Sequence, residues 1–309
     1  FAGRAAGYGF KGVKLDGNDP VAFHNGMKEI IEEVRNGKGP VFVEAVTMRL
    51  GLHAGVGDTN HLTKEELAAA KEAWPVPRTR AMLLEHGICT EEELAEIDNA
   101  AKTEVKEAVE FALASEVTGA DEMLLDVYAD PSVVPTRGQR DKRAAEAPHT
   151  GETREMAMFE AVQDPQELAL ELDDSVFFLG EDIGESGGVF RCFKGMQEKW
   201  GERVRPTPIA EQAIIGAATG AALVGMRPVA EIMFCDFVGV CLDQIMNHAA
   251  KQRYMSGGAT HVPMTIRTIA GGGIGGFGAQ HSQSTEALLL HIPGLKIVYP
   301  STPTEAKGL

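Results

Sequence analysis

Val176-Phe177-Phe178-Leu179-Gly180, closed by Glu181-Asp182, is an apolar run without polar alternation. A strand with one wet face alternates; one without alternation is buried on both faces, as in a parallel sheet covered by helices. Towards the C-terminus the pattern predicts a nearly all-apolar helix over 209–224, a strand over 228–234 and a helix over 238–254. A strand over 262–268, a helix over 284–291 and a strand over 295–299 follow. Towards the N-terminus a helix is expected around 154–172. Before it, Pro131, Pro135 and Pro148 punctuate a run of Arg, Lys, Glu and Ala that reads as a linker. The first part begins with a strand over 12–15, a turn at Asp16-Gly17-Asn18-Asp19 and a helix over 20–36, with Ala22, Met27, Ile30, Ile31 and Val34 at near-helical spacing. A buried strand over 40–46 completes a β-α-β unit, and charged helices over 62–73 and 91–114 follow, the second opened by a Thr90/Glu93 capping box. The expected fold is α/β and doubly wound, so ligands belong beyond the C-terminal ends of the strands.

The chain has 309 residues, enough for two domains of roughly 150 residues each. Its 44% hydrophobic and 24% charged residues are the balance of a globular protein. With 29 basic and 45 acidic residues the formal charge is −16, which disfavours nucleic acid or an anionic membrane surface as partner. Cys89, Cys192, Cys235 and Cys241 form no C-x-x-C pair and read as free, mostly buried thiols of a reducing compartment, with the cytoplasm as the expected location. Phe1 without a Met and Leu309 just inside an apparent helix read as ends within folded sequence.

Gly271-Gly272-Gly273-Ile274-Gly275-Gly276-Phe277-Gly278 contains G-x-G-x-x-G twice between a strand and a helix. A dinucleotide site would need a carboxylate at the end of the next strand, and Lys296-Ile297-Val298-Tyr299-Pro300 has none. His281, leaving this loop in Gln280-His281-Ser282-Gln283, is placed either for acid–base work or to cap the next helix. Thr207-Pro208-Ile209-Ala210-Glu211-Gln212 opens the apolar helix, with Pro208 expected in its first turn. Glu211 there either serves the helix dipole or is a partly buried acid with perturbed proton affinity. Glu181 and Asp182 read as a solvated loop or as a metal or proton-relay site, and Arg49 and His53 as loop residues after a strand.

Together these segments resemble the thiamine-diphosphate-dependent E1 components of 2-oxo acid dehydrogenase complexes. Arg4–Phe10, Val13–Asp19, Glu44–Arg49 and Leu124–Asp130 are similar to the C-terminal part of an E1 α subunit. Leu179–Asp182, Thr207–Gln212, Arg227–Glu231, Asp243–Ile245, Arg253–Gly258, Gln280–Gln283 and Pro293–Lys296 are similar to the pyrimidine-binding domain of an E1 β subunit. The resemblance implies two thiamin-diphosphate-binding-fold segments, the first incomplete: an α-like part over 1–130, a linker over 131–153 and a β-like part over 154–309.

It also implies roles. Glu211 would hydrogen-bond the aminopyrimidine ring of thiamine diphosphate, Phe237 and Ile209 would pack beside that ring, and Glu181 would be an acid near the cofactor. Arg49 joins the cofactor-binding set. His281 and His53 would assist acyl transfer to a lipoyl group. The implied reaction is oxidative decarboxylation of a 2-oxo acid, pyruvate favoured, with a lipoyl acceptor. Branched-chain or acetoin dehydrogenases and a transketolase-type enzyme are the alternatives. The implied partners are a lipoylated E2 and a second fused chain, giving an equivalent of α2β2. Mg2+ ligands are expected upstream of Phe1 rather than in this chain, so this stretch alone is expected to lack turnover. Ala54 stands where regulated relatives carry a phosphorylated serine, so that switch is not expected.

Overall fold

The computed structural model describes residues 1–51, 62–129, 153–271 and 276–309. The described chain falls into two units, Phe1–Val117 and Thr118–Leu309. His53 and Ala54, nearly all of the expected linker and Gly272–Gly275 lie outside the described residues.

In the first unit β1 (Lys11–Asp16) pairs in parallel with β2 (Val41–Val46), joined by α1 (Pro20–Arg35). Asp19 caps α1 by accepting from the amide of Ala22, and Pro20 takes the first position, where its missing N–H is harmless. Arg78, from α3 (Pro75–Glu85), pairs with both Asp16 and Asp19, so the acidic turn is neutralised by a guanidinium. The expectation of a buried β2 is corrected: Phe42 and Val46 are exposed, because this sheet is two strands wide and its helices do not cover both faces. The helices α2 (Lys64–Glu72) and α4 (Glu91–Ala114) both start in full capping boxes, Thr63/Glu66 and Thr90/Glu93. The sequence pattern located α4 to the residue but passed over α3.

In the second unit α5 (Met158–Leu172) precedes a four-stranded parallel sheet of order β4-β3-β5-β6. Its strands are β3 (Val176–Glu181), β4 (Val204–Thr207), β5 (Arg227–Phe234) and β6 (Thr265–Ile269), with a short α6 (Met196–Trp200) between β3 and β4. The chain steps from β3 to one side and from β5 to the other, so the order reverses between β3 and β5. Ligands of doubly wound folds sit at that reversal, beyond the strand ends.

Helix α7 (Glu211–Leu223) packs on β5 through Ile214, Ile215 and Ala218, which share a core with Leu179, Ala230, Ile232, Val238, Cys241 and Ile245. A second core joins Leu170, Val176, Phe178, Ile183, Phe193, Met196 and Val204. Arg203 binds these elements by donating to the carbonyls of Leu170, Asp173 and Val176, which satisfies the end of α5 and the approach to β3. On the central strand Glu231 lies in register with Arg267 of β6 and forms a half-buried ion pair with it, the guanidinium resting on the Phe193 ring.

Four expectations are corrected. Strand β4 was not anticipated, since Val204-Arg205-Pro206-Thr207 carries one buried apolar residue and a proline that only an edge strand tolerates. The helix expected over 238–254 is broken into a 3-10 segment (Cys235–Cys241), a π-helical turn (Gln244–Ala249) and a short α8 (Gln252–Met255). Residues 295–299 run without a ladder; Leu295 packs on the core while Val298 and Tyr299 are exposed. Helix α7 is not buried all round: Ala213, Ala217, Gly220 and Val224 are exposed, because within this chain only one of its faces meets the sheet.

Candidate active site

Strand β3 ends at the reversal with Gly180-Glu181-Asp182. A Cβ on Gly180 would come within 2.9 Å of the Glu231 Cβ, so glycine lets β3 and β5 approach where the crevice begins. Asp182 has φ 56°, a left-handed conformation uncommon outside glycine, at the turn that leaves the strand.

Glu181 pairs in register with Thr207, the last residue of β4, and Glu211 follows four positions on. The first helical residue is Glu211 rather than Ile209, so Pro208 lies in the connection and not in the first turn; Thr207 is still held by the sheet. Glu211 retains the favourable end of the helix dipole. Burial pushes the Glu181 carboxyl above its ordinary value, and the negative charges of Asp182 and Glu211 push it further. Cys241 is pushed up to about 11, by burial first and then by the charge of Glu211. Glu211 therefore lies within electrostatic reach of both Glu181 and Cys241. Beside them Ile209, Ala210, Glu211, Gln212, Ala213 and Val240 line a recess of about 570 Å³, with Ile209 74% exposed at its edge.

The raised affinity of Glu181 has a consequence for stability. With a folded pKa above the ordinary 4.5, protonated Glu181 favours the fold, and this contribution fades as pH rises through the raised value. Glu181→Gln should match wild type below about pH 4 and exceed it at neutral pH. Urea midpoints at both pH values check this; an equal difference at both contradicts it.

At the end of β5, Phe234 is the hub of a ring cluster. Phe190, Phe237 and Phe277 meet it edge-on at 5.4, 5.7 and 5.7 Å between centroids. His281 lies edge-on to both Phe234 (5.1 Å) and Phe237 (5.0 Å). It is not a helix cap: α9 (Glu286–Leu290) has Thr285 as its N-cap. Gly276 and Gly278 precede it with φ of 72° and 84°, backbone that a side chain would strain.

The second unit thus sets Ile209 and Glu211 at one recess, with Glu181 in electrostatic reach of Glu211, and sets Phe237 and His281 in the ring cluster at the end of β5; the Cys235–Cys241 segment carries both Phe237 and the recess residue Val240. Arg49 lies in the first unit, exposed in the irregular segment after β2. Asp236, Phe234 and Cys241 were not singled out from the sequence; the one available signal was the position of Asp236 just past a strand end. All four cysteines are free thiols, three of them buried. Among the described residues no group of three or more His, Cys, Asp or Glu could hold a metal ion, and no helix is long and apolar enough to cross a membrane.

A parallel sheet with acids at its reversal is the architecture of a doubly wound domain. Residues 154–309 match the family model described as transketolase, pyrimidine binding domain, and residues 1–120 match dehydrogenase E1 component. The acetoin:2,6-dichlorophenolindophenol oxidoreductase subunit beta of Cupriavidus necator is 48% identical over 166 residues, 50% of this chain and 49% of that one. The 2-oxoisovalerate dehydrogenase subunit beta of Pseudomonas aeruginosa is 49% identical over 155 residues, 50% of this chain and 44% of its own. The pyruvate dehydrogenase E1 component subunit beta of Acholeplasma laidlawii is 46% identical over 155 residues, covering 50% and 47%. This chain belongs to the thiamine-diphosphate-dependent 2-oxo acid dehydrogenase E1 family, an α-like C-terminal part and a β-like N-terminal part in one polypeptide. It spans about half the length of these curated relatives.

Proposed function

We propose that the protein is the decarboxylating E1 component of a 2-oxo acid dehydrogenase complex, with pyruvate the favoured substrate and a lipoylated E2 as acyl acceptor. The observation that carries this is the convergence of Glu181 and Glu211 beside the recess edged by Ile209, at the reversal of the sheet. A carboxyl next to an apolar side chain in an open recess fits a flat heteroaromatic ring bearing a basic nitrogen, as the aminopyrimidine of thiamine diphosphate does. When bound, that cofactor supplies the electron sink for decarboxylation.

In this reading Glu211 holds and exchanges a proton at the ring nitrogen. Ile209 and Phe237 provide apolar contact to the ring. Glu181, whose proton affinity is raised, exchanges a proton with the crevice. His281, framed by Phe234 and Phe237, orients the acyl-accepting lipoyl group and moves a proton to or from it, with His53 as a second such histidine and Arg49 in the cofactor-binding set. Mg2+ is held by residues other than those described. The proposed organisation is an α-like part over 1–130, a linker over 131–153 and a β-like part over 154–309, two such chains forming an equivalent of α2β2 in the cytoplasm.

The test offers the protein pyruvate, 2-oxoisovalerate and acetoin with thiamine diphosphate, Mg2+ and a lipoyl domain. Release of CO2 from pyruvate with acetylation of the lipoyl domain is expected. Transfer of aldehyde units between sugars without lipoate would place the protein with the transketolases instead.

A further inference from the structure

We propose that Asp236 is a positioning residue for His281: its carboxylate anchors the loop that presents the imidazole and holds that ring against Phe234 and Phe237. This deepens the reading of His281 as a proton-moving group and rests on it.

The anchoring is drawn between two segments far apart in the chain. Asp236 Oδ1 accepts from both the side-chain amide and the backbone amide of Gln283, at 2.7 and 3.2 Å. The Gln283 carbonyl is held too, accepting from the Gly271 amide at 2.8 Å and from the Cys235 thiol at 3.1 Å. Two residues on, the Thr285 hydroxyl donates to the Cys235 carbonyl at 2.9 Å. Gln283 is thus fixed at both its backbone groups and its side chain, although it is itself exposed. Residues tied this way cannot drift, and His281, two positions earlier, is pressed edge-on against Phe234 and Phe237.

The anchor and the rings share one segment: Asp236 lies between Phe234 and Phe237 in sequence, at the start of the 3-10 segment. Burial pushes Asp236 upward, but the hydrogen bonds from the Gln283 side chain and from the backbone amides of Asp236 and Gln283 outweigh it; the charge of His281 lowers it further. Asp236 therefore stays ionised, the form in which a carboxylate accepts most strongly from the Gln283 amides.

The test reads the loop and the ring directly. The chain, labelled with ¹⁵N and with ¹³C in its histidine and phenylalanine rings, is followed by NMR, with the His281 resonance assigned by its loss in His281→Asn. Asp236→Ala removes the acceptor of both Gln283 bonds. The contacts of the His281 ring with Phe234 and Phe237, read as nuclear Overhauser effects, should weaken, and amides of 281–284 should exchange about tenfold faster while those of the sheet exchange as before. Unchanged ring contacts or unchanged exchange in this variant overturns the proposal. Gln283→Ala keeps the carboxylate and removes one anchor. Amides of 281–284 should then exchange about fivefold faster, and unchanged exchange overturns the anchoring even if Asp236→Ala does not fold. These measurements need neither substrate nor cofactor, so failure of the E1 reading and failure of this one are separately visible.

Discussion

Glu211→Gln in the holoenzyme lowers decarboxylation by about 10²–10⁴-fold, the range of a lost general acid–base group, with the thermal midpoint unchanged. Glutamine has the shape of glutamate and can still hydrogen-bond, but it cannot exchange a proton. Glu211 starts α7, where the preceding Ala210 offers no side-chain cap, and it lines a recess without a hydrogen-bond partner among the described residues. Its loss therefore leaves the core through Ile214, Ile215 and Ala218 intact. Two neighbours report independently on the substitution. The Cys241 thiol, at about 11 partly through the charge of Glu211, should titrate lower, and Glu181 should lose part of its upward shift. Turnover equal to wild type would remove Glu211 from the chemistry.

Phe178→Ala is the substitution with the largest expected effect on the fold, a loss of about 3–5 kcal/mol in the second unit. The ring is 1% exposed in the middle of β3 and meets Phe193 edge-on at 5.6 Å and 74°. Leu170, Ile183, Met196 and Val204 close around it, from the helix before the sheet, the loop and helix after β3, and edge strand β4. No one of these can move into the vacated space without leaving its own strand or helix, so the cavity stays. Urea denaturation followed by circular dichroism measures the loss, and a value below about 1.5 kcal/mol would mean that this core is not what holds β3 in place.

What the sequence made legible follows the range of the interactions involved. The β1-α1-β2 unit and the exact extent of α4 could be read because Asp19, Pro20, Thr90 and Glu93 act within a turn of themselves. The continuous apolar run at Phe177–Leu179 announced β3 for the same reason. Strand β4 could not be read, since Arg205 and Pro206 become acceptable only on an edge, and edges are decided by the rest of the sheet. The start of α7 was displaced because Thr207 obeys its pairing with Glu181 rather than its neighbours. The site divides likewise. Glu181, Glu211 and His281 stood out in local sequence, and Phe237 and Ile209 through the family resemblance; the fold sets Ile209 and Glu211 at one recess and Phe237 and His281 in one ring cluster. Asp236 carried none; its significance lies in Gln283, 47 residues away. Arg267, the counter-charge that makes Glu231 tolerable inside the sheet, is just as distant in kind.

The central claim is that the Glu211 carboxyl shares a proton with the ring of bound thiamine diphosphate. A structure of the holoenzyme measures it directly. The account predicts a Glu211 carboxylate oxygen about 2.6–3.2 Å from a pyrimidine nitrogen, with Ile209 and Phe237 against the ring. A Glu211 side chain turned into bulk solvent, with the cofactor bound elsewhere, would contradict it.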